Sequence, residues 1–99
     1  MKKIVLVCAG GMSTGVLVNN MKQAAQKKAI PVSIDAFSIE SVASVAKDAD
    51  CVLLGPKVSY RLAEVQGLVA RPTASIDMRT YGMMDGQKAL EQALELIGE

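Results

Sequence analysis

Residues 2–15 read KKIVLVCAGGMSTG. Two lysines precede a short β-branched apolar run that ends in Cys8. A glycine-rich stretch follows: Ala9, Gly10, Gly11, Met12, Ser13, Thr14 and Gly15. The next apolar positions, Leu17, Met21, Ala24 and Ala25, are spaced i, i+4, i+7, i+8, the stripe of an amphipathic helix over residues 13–28. The segment therefore predicts a strand over 2–8, a glycine loop and a helix.

Further along, the same punctuation repeats. Pro31 closes a turn, and VSIDAF (32–37) alternates apolar and polar as a strand does. Ser38 is placed to cap a helix over 39–46, with Glu40 favourable in its first turn. DCVLL (50–54) reads as a buried strand ended by Gly55-Pro56. Val58, Leu62, Val65 and Val69 form another helical stripe, broken at Arg71-Pro72. TASID (73–77) is a fourth strand of weaker composition. A loop over 78–86 leads to a last helix, 87–97, whose stripe is Leu90, Ala93, Leu94 and Ile97. Strands alternating with helices predict an α/β domain, residues 1–99, with a four-stranded parallel sheet and helices on both faces. Ligands of such sheets bind beyond the carboxyl ends of the strands, where strand order reverses. The loop after the first strand, CAGGMST, is expected there.

Bulk composition narrows the function. Of 99 residues, 51% are hydrophobic, but the aromatics are only two tyrosines and one phenylalanine. The core must be aliphatic. Eleven basic and ten acidic residues nearly cancel, and the basic ones are scattered. Nucleic acid is not expected as a partner, because phosphate-backbone binding needs clustered cations. No apolar run approaches the roughly 18 residues of a membrane span. The start resembles a secretion signal, but residues 4–9 are shorter than its apolar core of about 7–15 residues. A cytoplasmic location is expected. Two cysteines in such a setting are expected to be thiols. Histidine is absent, which excludes Cys-His and Ser-His-Asp catalysis within this chain. No metal and no organic cofactor are expected.

Three features converge on Cys8. It closes the first strand at the site-forming edge. Gly10 and Gly11 allow backbone conformations that turn several N–H groups toward one point, a concavity suited to an anion. The helix beginning near Ser13 or Thr14 points its positive end at the same place, and a helix N-terminus favours a thiolate as it favours a phosphate. A nucleophile and an anion cradle in one loop suggest a phosphocysteine. Each element also has a plain structural reading: Cys8 as packing, Ser13 as a helix N-cap, Met12 as apolar filler at the loop's edge. Cys51 has no glycine loop after it and is expected in the core. Parallel strands put Cys8 level with Leu54 or Gly55, about 10 Å along the sheet from Cys51 at ~3.3 Å per residue, too far for a disulfide.

Low-molecular-weight tyrosine phosphatases and thiol arsenate reductases also carry a cysteine in a phosphate loop after the first strand. They clamp the phosphoryl oxygens with an arginine where this chain has Thr14. No arginine occurs before Arg61, and no Asp-Pro pair supplies a general acid. Slow hydrolysis of a thiophosphate is the expectation, which suits a relay.

CAGGMST with the preceding KKIVLV, LLGPKVSY at 53–60 and YGMMDG at 81–86 together resemble the IIB component of the lactose/cellobiose-type sugar phosphotransferase system. The resemblance spans essentially the whole chain. It implies a fold like that of the low-molecular-weight tyrosine phosphatases. It implies that Cys8 accepts a phosphoryl group from a phosphohistidine on a IIA protein and passes it to a sugar held by the membrane-embedded IIC permease, with the IIB chain transiently at the inner membrane face. The amides from Ala9 to Gly15 would form the phosphate loop, with the Ser13 and Thr14 hydroxyls as extra donors. Tyr60 and the 81–86 loop border the site in this view, or serve packing and the turn. Met12, Met83 and Met84 offer an adaptable docking surface, or pack inward. A phosphatase-like hydrolase and a non-catalytic binding module are the alternatives.

Overall fold

The computed structural model describes residues 1–9 and 13–98, with the side chain of Ser13 outside that set. Its sheet has four parallel strands: β1 (Lys2–Cys8), β2 (Val32–Ser38), β3 (Cys51–Leu54) and β4 (Thr73–Ser75), in the order β2-β1-β3-β4. The helices are α1 (Ser13–Lys27), α2 (Val42–Val45), α3 (Leu62–Leu68), α4 (Met78–Gly82) and α5 (Gly86–Ile97). One turn of 3₁₀ helix, Ile39–Ser41, leads into α2, and a six-residue 3₁₀ stretch, Pro56–Arg61, leads into α3.

Strand β1 runs through the middle. It is hydrogen-bonded to β2 on one side and β3 on the other, in the register Val5↔Asp35 and Val5↔Val52. Its residues Ile4 to Cys8 are all buried. Burial on both faces explains why the run is continuously apolar rather than alternating. Because successive side chains point to opposite faces, the even positions Ile4 and Leu6 join α1 and α5 in one cluster with Leu17, Met21, Leu53 and Leu90. The odd positions Val5 and Val7 join α2 and α3 in the other, with Val42, Val52, Leu54 and Val65. Each fully buried Ile, Leu or Val contributes roughly 1.5–3 kcal/mol relative to exposure.

The stripes of α1 and α5 fold as their spacing predicts, but three segments differ. The 58–69 stripe begins in the 3₁₀ helix Pro56–Arg61, and its α-helix is only Leu62–Leu68. The 39–46 helix is a 3₁₀ turn plus one α turn, with the Ser38 hydroxyl accepting from the Glu40 amide. The predicted 78–86 loop contains α4. Asp77 caps it by accepting from the Thr80 amide, and Asp85 caps α5 by accepting from the Lys88 amide. Two capping aspartates, each three residues before the amide it binds, are the local signal.

Gly86 has a role the sequence does not announce. A Cβ placed there would stand 2.3 Å from the Asn20 carbonyl carbon and 2.5 Å from the Met21 nitrogen. Backbone meets backbone where α5 starts against α1. Gly82, by contrast, has open space where its Cβ would stand. Gly86→Ala is therefore expected to cost about 1–3 kcal/mol or more through overpacking. Gly82→Ala is expected to be neutral, or to stabilise by up to about 1 kcal/mol. Urea unfolding of the two variants beside the wild type measures the contrast.

Candidate active site

The strand order reverses between β1 and β3, so the crevice at their carboxyl ends is the expected site of an open parallel sheet. Cys8 stands at that end of β1. It is level with Ser38 on β2, and one step beyond the Val7↔Leu54 pair, which places Gly55 beside it. The Gly55 amide donates to the Val7 carbonyl at 2.9 Å, so the ladder continues to the rim. Cys8 is 8% exposed. It has the parity of Ile4 and Leu6 and faces the α1 and α5 layer.

Gly55 is extended (φ −65°, ψ 155°), the conformation imposed on a residue before proline. Any amino acid adopts it, so torsion does not require glycine. Nor does space at the first carbon: a Cβ at this position would lie in ordinary van der Waals contact, 3.6 Å from the Cys8 Cβ and 3.7 Å from Tyr81 Cε1, so that only a longer side chain would crowd the cysteine. The missing side chain keeps the flank of Cys8 open. Tyr81, on α4, forms the far wall. Its hydroxyl and the Thr14 hydroxyl are 3.0 Å apart and share a hydrogen bond. Thr14 lies in the first turn of α1 and is 2% exposed. The crevice thus assembles Cys8 from β1, Thr14 from α1, Gly55 from the β3 end and Tyr81 from α4.

Of the predicted site residues, Cys8 and Thr14 are brought together here. Ala9 and Gly15 are exposed at either side of the loop. Gly10, Gly11, Met12 and the Ser13 side chain lie outside the described residues. Tyr60 does not pack: it is 80% exposed on the 3₁₀ turn after β3. Met83 is also exposed, whereas Met84 packs against the core. Sequence reading placed Tyr81 only at the border; its bond to Thr14 spans 67 positions and has no local signal.

Two charged groups lie on the segments that follow β3 and β4. Arg61 is held by Glu64 through two nitrogens and by Glu40 at 2.9 Å. These carboxylates, Glu64 foremost, push its guanidinium further toward the charged form. Asp77 caps α4, and its hydrogen bonds to Thr80 hold its carboxyl below the usual range. Among the described residues, no group of three or more His, Cys, Asp or Glu side chains could hold a metal ion.

Comparison with known proteins settles the family. Residues 3–92 match the model of the lactose/cellobiose-specific IIB subunit of the sugar phosphotransferase system (PTS). The chain belongs to this IIB family. It is 42% identical over 100 residues to the oligo-β-mannoside-specific EIIB component of Bacillus subtilis, covering 98% of this chain and 97% of that one. It is 36% identical over 104 residues to the galactose-specific EIIB component of Lactococcus lactis, with 97% and 96% covered. Among solved structures, the cellobiose-specific IIB protein of Borrelia burgdorferi superposes with a TM-score of 0.82 at 30% identity, over 97% of this chain and 91% of that one. The lactose-specific IIB domain of Streptococcus pneumoniae gives 0.86 at 19% identity, over 96% of both chains, a likeness of fold. The IIB fold is like that of the low-molecular-weight phosphatases, as the family resemblance implies.

Cys51 of this IIB chain is fully buried in β3, opposite Ile4. Cys8 lies four positions further along β1 than that level, and neither cysteine is in a disulfide. Burial, with a smaller contribution from Asp50, pushes the Cys51 thiol from 9.0 up to about 12. The folded chain thus keeps this proton when the unfolded chain has lost it. The resulting stability is complete below pH 9 and declines between pH 9 and about 12. Cys51→Val is expected to remove this component of the alkaline decline. Urea titrations at pH 8 and pH 10 should show a smaller loss in the variant than in the wild type.

Proposed function

We propose that Cys8 is the phosphoryl carrier of this IIB component. A phosphohistidine on a IIA protein is the donor, and the Cys8 thiolate attacks its phosphorus. The N–P bond breaks, an S–P bond forms, and the histidine nitrogen takes up a proton. In the second half, a hydroxyl of a sugar held by the membrane IIC permease attacks the same phosphorus. The S–P bond breaks, an O–P bond forms, and the thiolate is restored as the hydroxyl proton leaves. The chain's lack of histidine fits a scheme in which the donor brings it.

The observation that carries this reading is the position of Cys8. It ends the central strand at the reversal of strand order, with Gly55 leaving its flank open, and leads into the loop before α1. The amides of Ala9, Gly10, Gly11, Met12, Ser13, Thr14 and Gly15 are the proposed donors to the phosphoryl oxygens. Preorganised amides of this kind stabilise the charge spread over the transferring group. Exposed Tyr60, Met78 and Met83 lie on the segments that follow β3 and β4 and offer an apolar surface for the two partners in turn. No described helix is long and apolar enough to cross a membrane, so the proposed membrane contact runs through IIC. The relatives' names span oligo-β-mannosides, galactose and cellobiose, which fits a sugar choice made in the membrane partner.

Hydrolysis is the less favoured reading. Thr14 occupies the place of the phosphatase arginine, and the Arg61 guanidinium is taken up by Glu40 and Glu64. Incubation with phosphoenolpyruvate, the general PTS proteins and phosphorylated IIA is expected to label the wild type and not Cys8→Ala. Phosphorus NMR of the product should show a thiophosphate. Undiminished labelling of Cys8→Ala, or steady turnover of p-nitrophenyl phosphate by the isolated protein, would count against the relay.

A further inference from the structure

We propose that Tyr81 is a positioning residue for the Cys8 loop, holding the first turn of the helix that receives it. The inference rests on the relay reading for its role in phosphoryl transfer, but its structural content stands apart from that reading. The loop leaves the sheet at Cys8 and becomes helical by Thr14. At the Thr14 end, the Tyr81 hydroxyl binds the Thr14 hydroxyl at 3.0 Å. At the Cys8 end, Tyr81 Cε1 stands 3.7 Å from the point where a Gly55 Cβ would be, and that point is 3.6 Å from the Cys8 Cβ. The ring and Gly55 thus form one flank of the cysteine, while the hydroxyl holds the first turn of the helix that receives the loop.

A positioning role requires Tyr81 itself to be fixed. Its amide donates to the Asp77 carbonyl, and its carbonyl accepts from the Met84 amide. Asn20 Nδ2 donates to the Met84 carbonyl at 2.9 Å, tying the turn after α4 to α1. Met84 adopts φ 52°, inside the left-handed region. One turn further, Gly86 rests directly on the backbone of Asn20 and Met21. Helix α1 therefore meets the 81–86 segment at Thr14, at Asn20 and at the Asn20–Met21 backbone. Tyr81 cannot shift without disturbing these contacts, so its hydroxyl is a fixed reference for Thr14. Amide donors aid transfer only if they are already aimed when charge develops. Tyr81 is half-buried, unlike Tyr60 at 80% exposure, so a docking role does not account for it.

The test is a cycle of Tyr81→Phe, Thr14→Val and the double variant, in single-turnover phosphorylation of Cys8 across a range of phospho-IIA concentrations. Each single change is expected to lower the saturating rate about three- to tenfold, the worth of one hydrogen bond. The concentration for half-saturation should move less than about twofold, and the double variant should be no slower than the slower single. Thermal unfolding of Tyr81→Phe guards against loss of fold. A saturating rate for Tyr81→Phe within twofold of wild type, or multiplied losses in the double variant, would overturn the proposal. A second readout needs no donor protein: native alkylation of Cys8 by iodoacetamide, followed by mass spectrometry of the Cys8 peptide. It should be at least about threefold slower in Tyr81→Phe. If wild type fails to label with phospho-IIA, the relay reading falls. Equal alkylation rates in wild type and Tyr81→Phe overturn the positioning role whether or not the relay holds.

Discussion

Everything in this fold is referred to the central strand. Ile4–Val7 is paired on both edges and buried on both faces, and Cys8 continues directly from it, still paired with Ser38 of β2. A thiol at the end of an edge strand would fray with it. A thiol at the end of a central strand inherits the rigidity of the core. The cost is a cysteine with little exposure. Beside it, Gly55 presents only backbone, with the Tyr81 ring behind.

Much of this was legible in the sequence because it depends on period and punctuation. The β-branched run over 2–8, the stripes at Leu17–Met21 and Leu90–Ala93, and Gly55-Pro56 after a buried strand carry their meaning within a few residues. The level of Cys8 with Gly55 followed from parallel pairing alone. Cys51 was placed in the core by the same reasoning. What stayed hidden depends on partners far away in the chain. Helix α4 has five residues, too few to display a helical period. Gly86 looks like a turn residue until α1 is laid against it. The Thr14–Tyr81 bond joins two positions that each have an ordinary local explanation. Tyr60, at a helix entrance, looks like a packing residue and projects outward instead.

The site is thus a composite of two kinds of construction. Cys8 and Gly55 come from the sheet and are set by its hydrogen-bonded ladder. Thr14 and Tyr81 come from helices and are set by packing of α1 against the segment that joins α4 to α5. Arg61, the first arginine of the chain, ties the start of α2 to the start of α3 through Glu40 and Glu64. It gives these flanking segments a common anchor.

The sheet divides the interior into two largely aliphatic compartments that, among the described residues, share no side chain. Leu17, Met21 and Leu90 lie in one, and Val42, Val58 and Val65 in the other. A volume change in one compartment is relayed to the other only through the stiff backbone between them. Drift among homologues can therefore proceed as two nearly separate histories. Compensating replacements should cluster within a compartment, and epistasis between compartments should be weak. Among the described residues, Cys8 has the parity of the layer bearing α1 and α5, so replacements in the opposite layer act on it chiefly through the strand backbone.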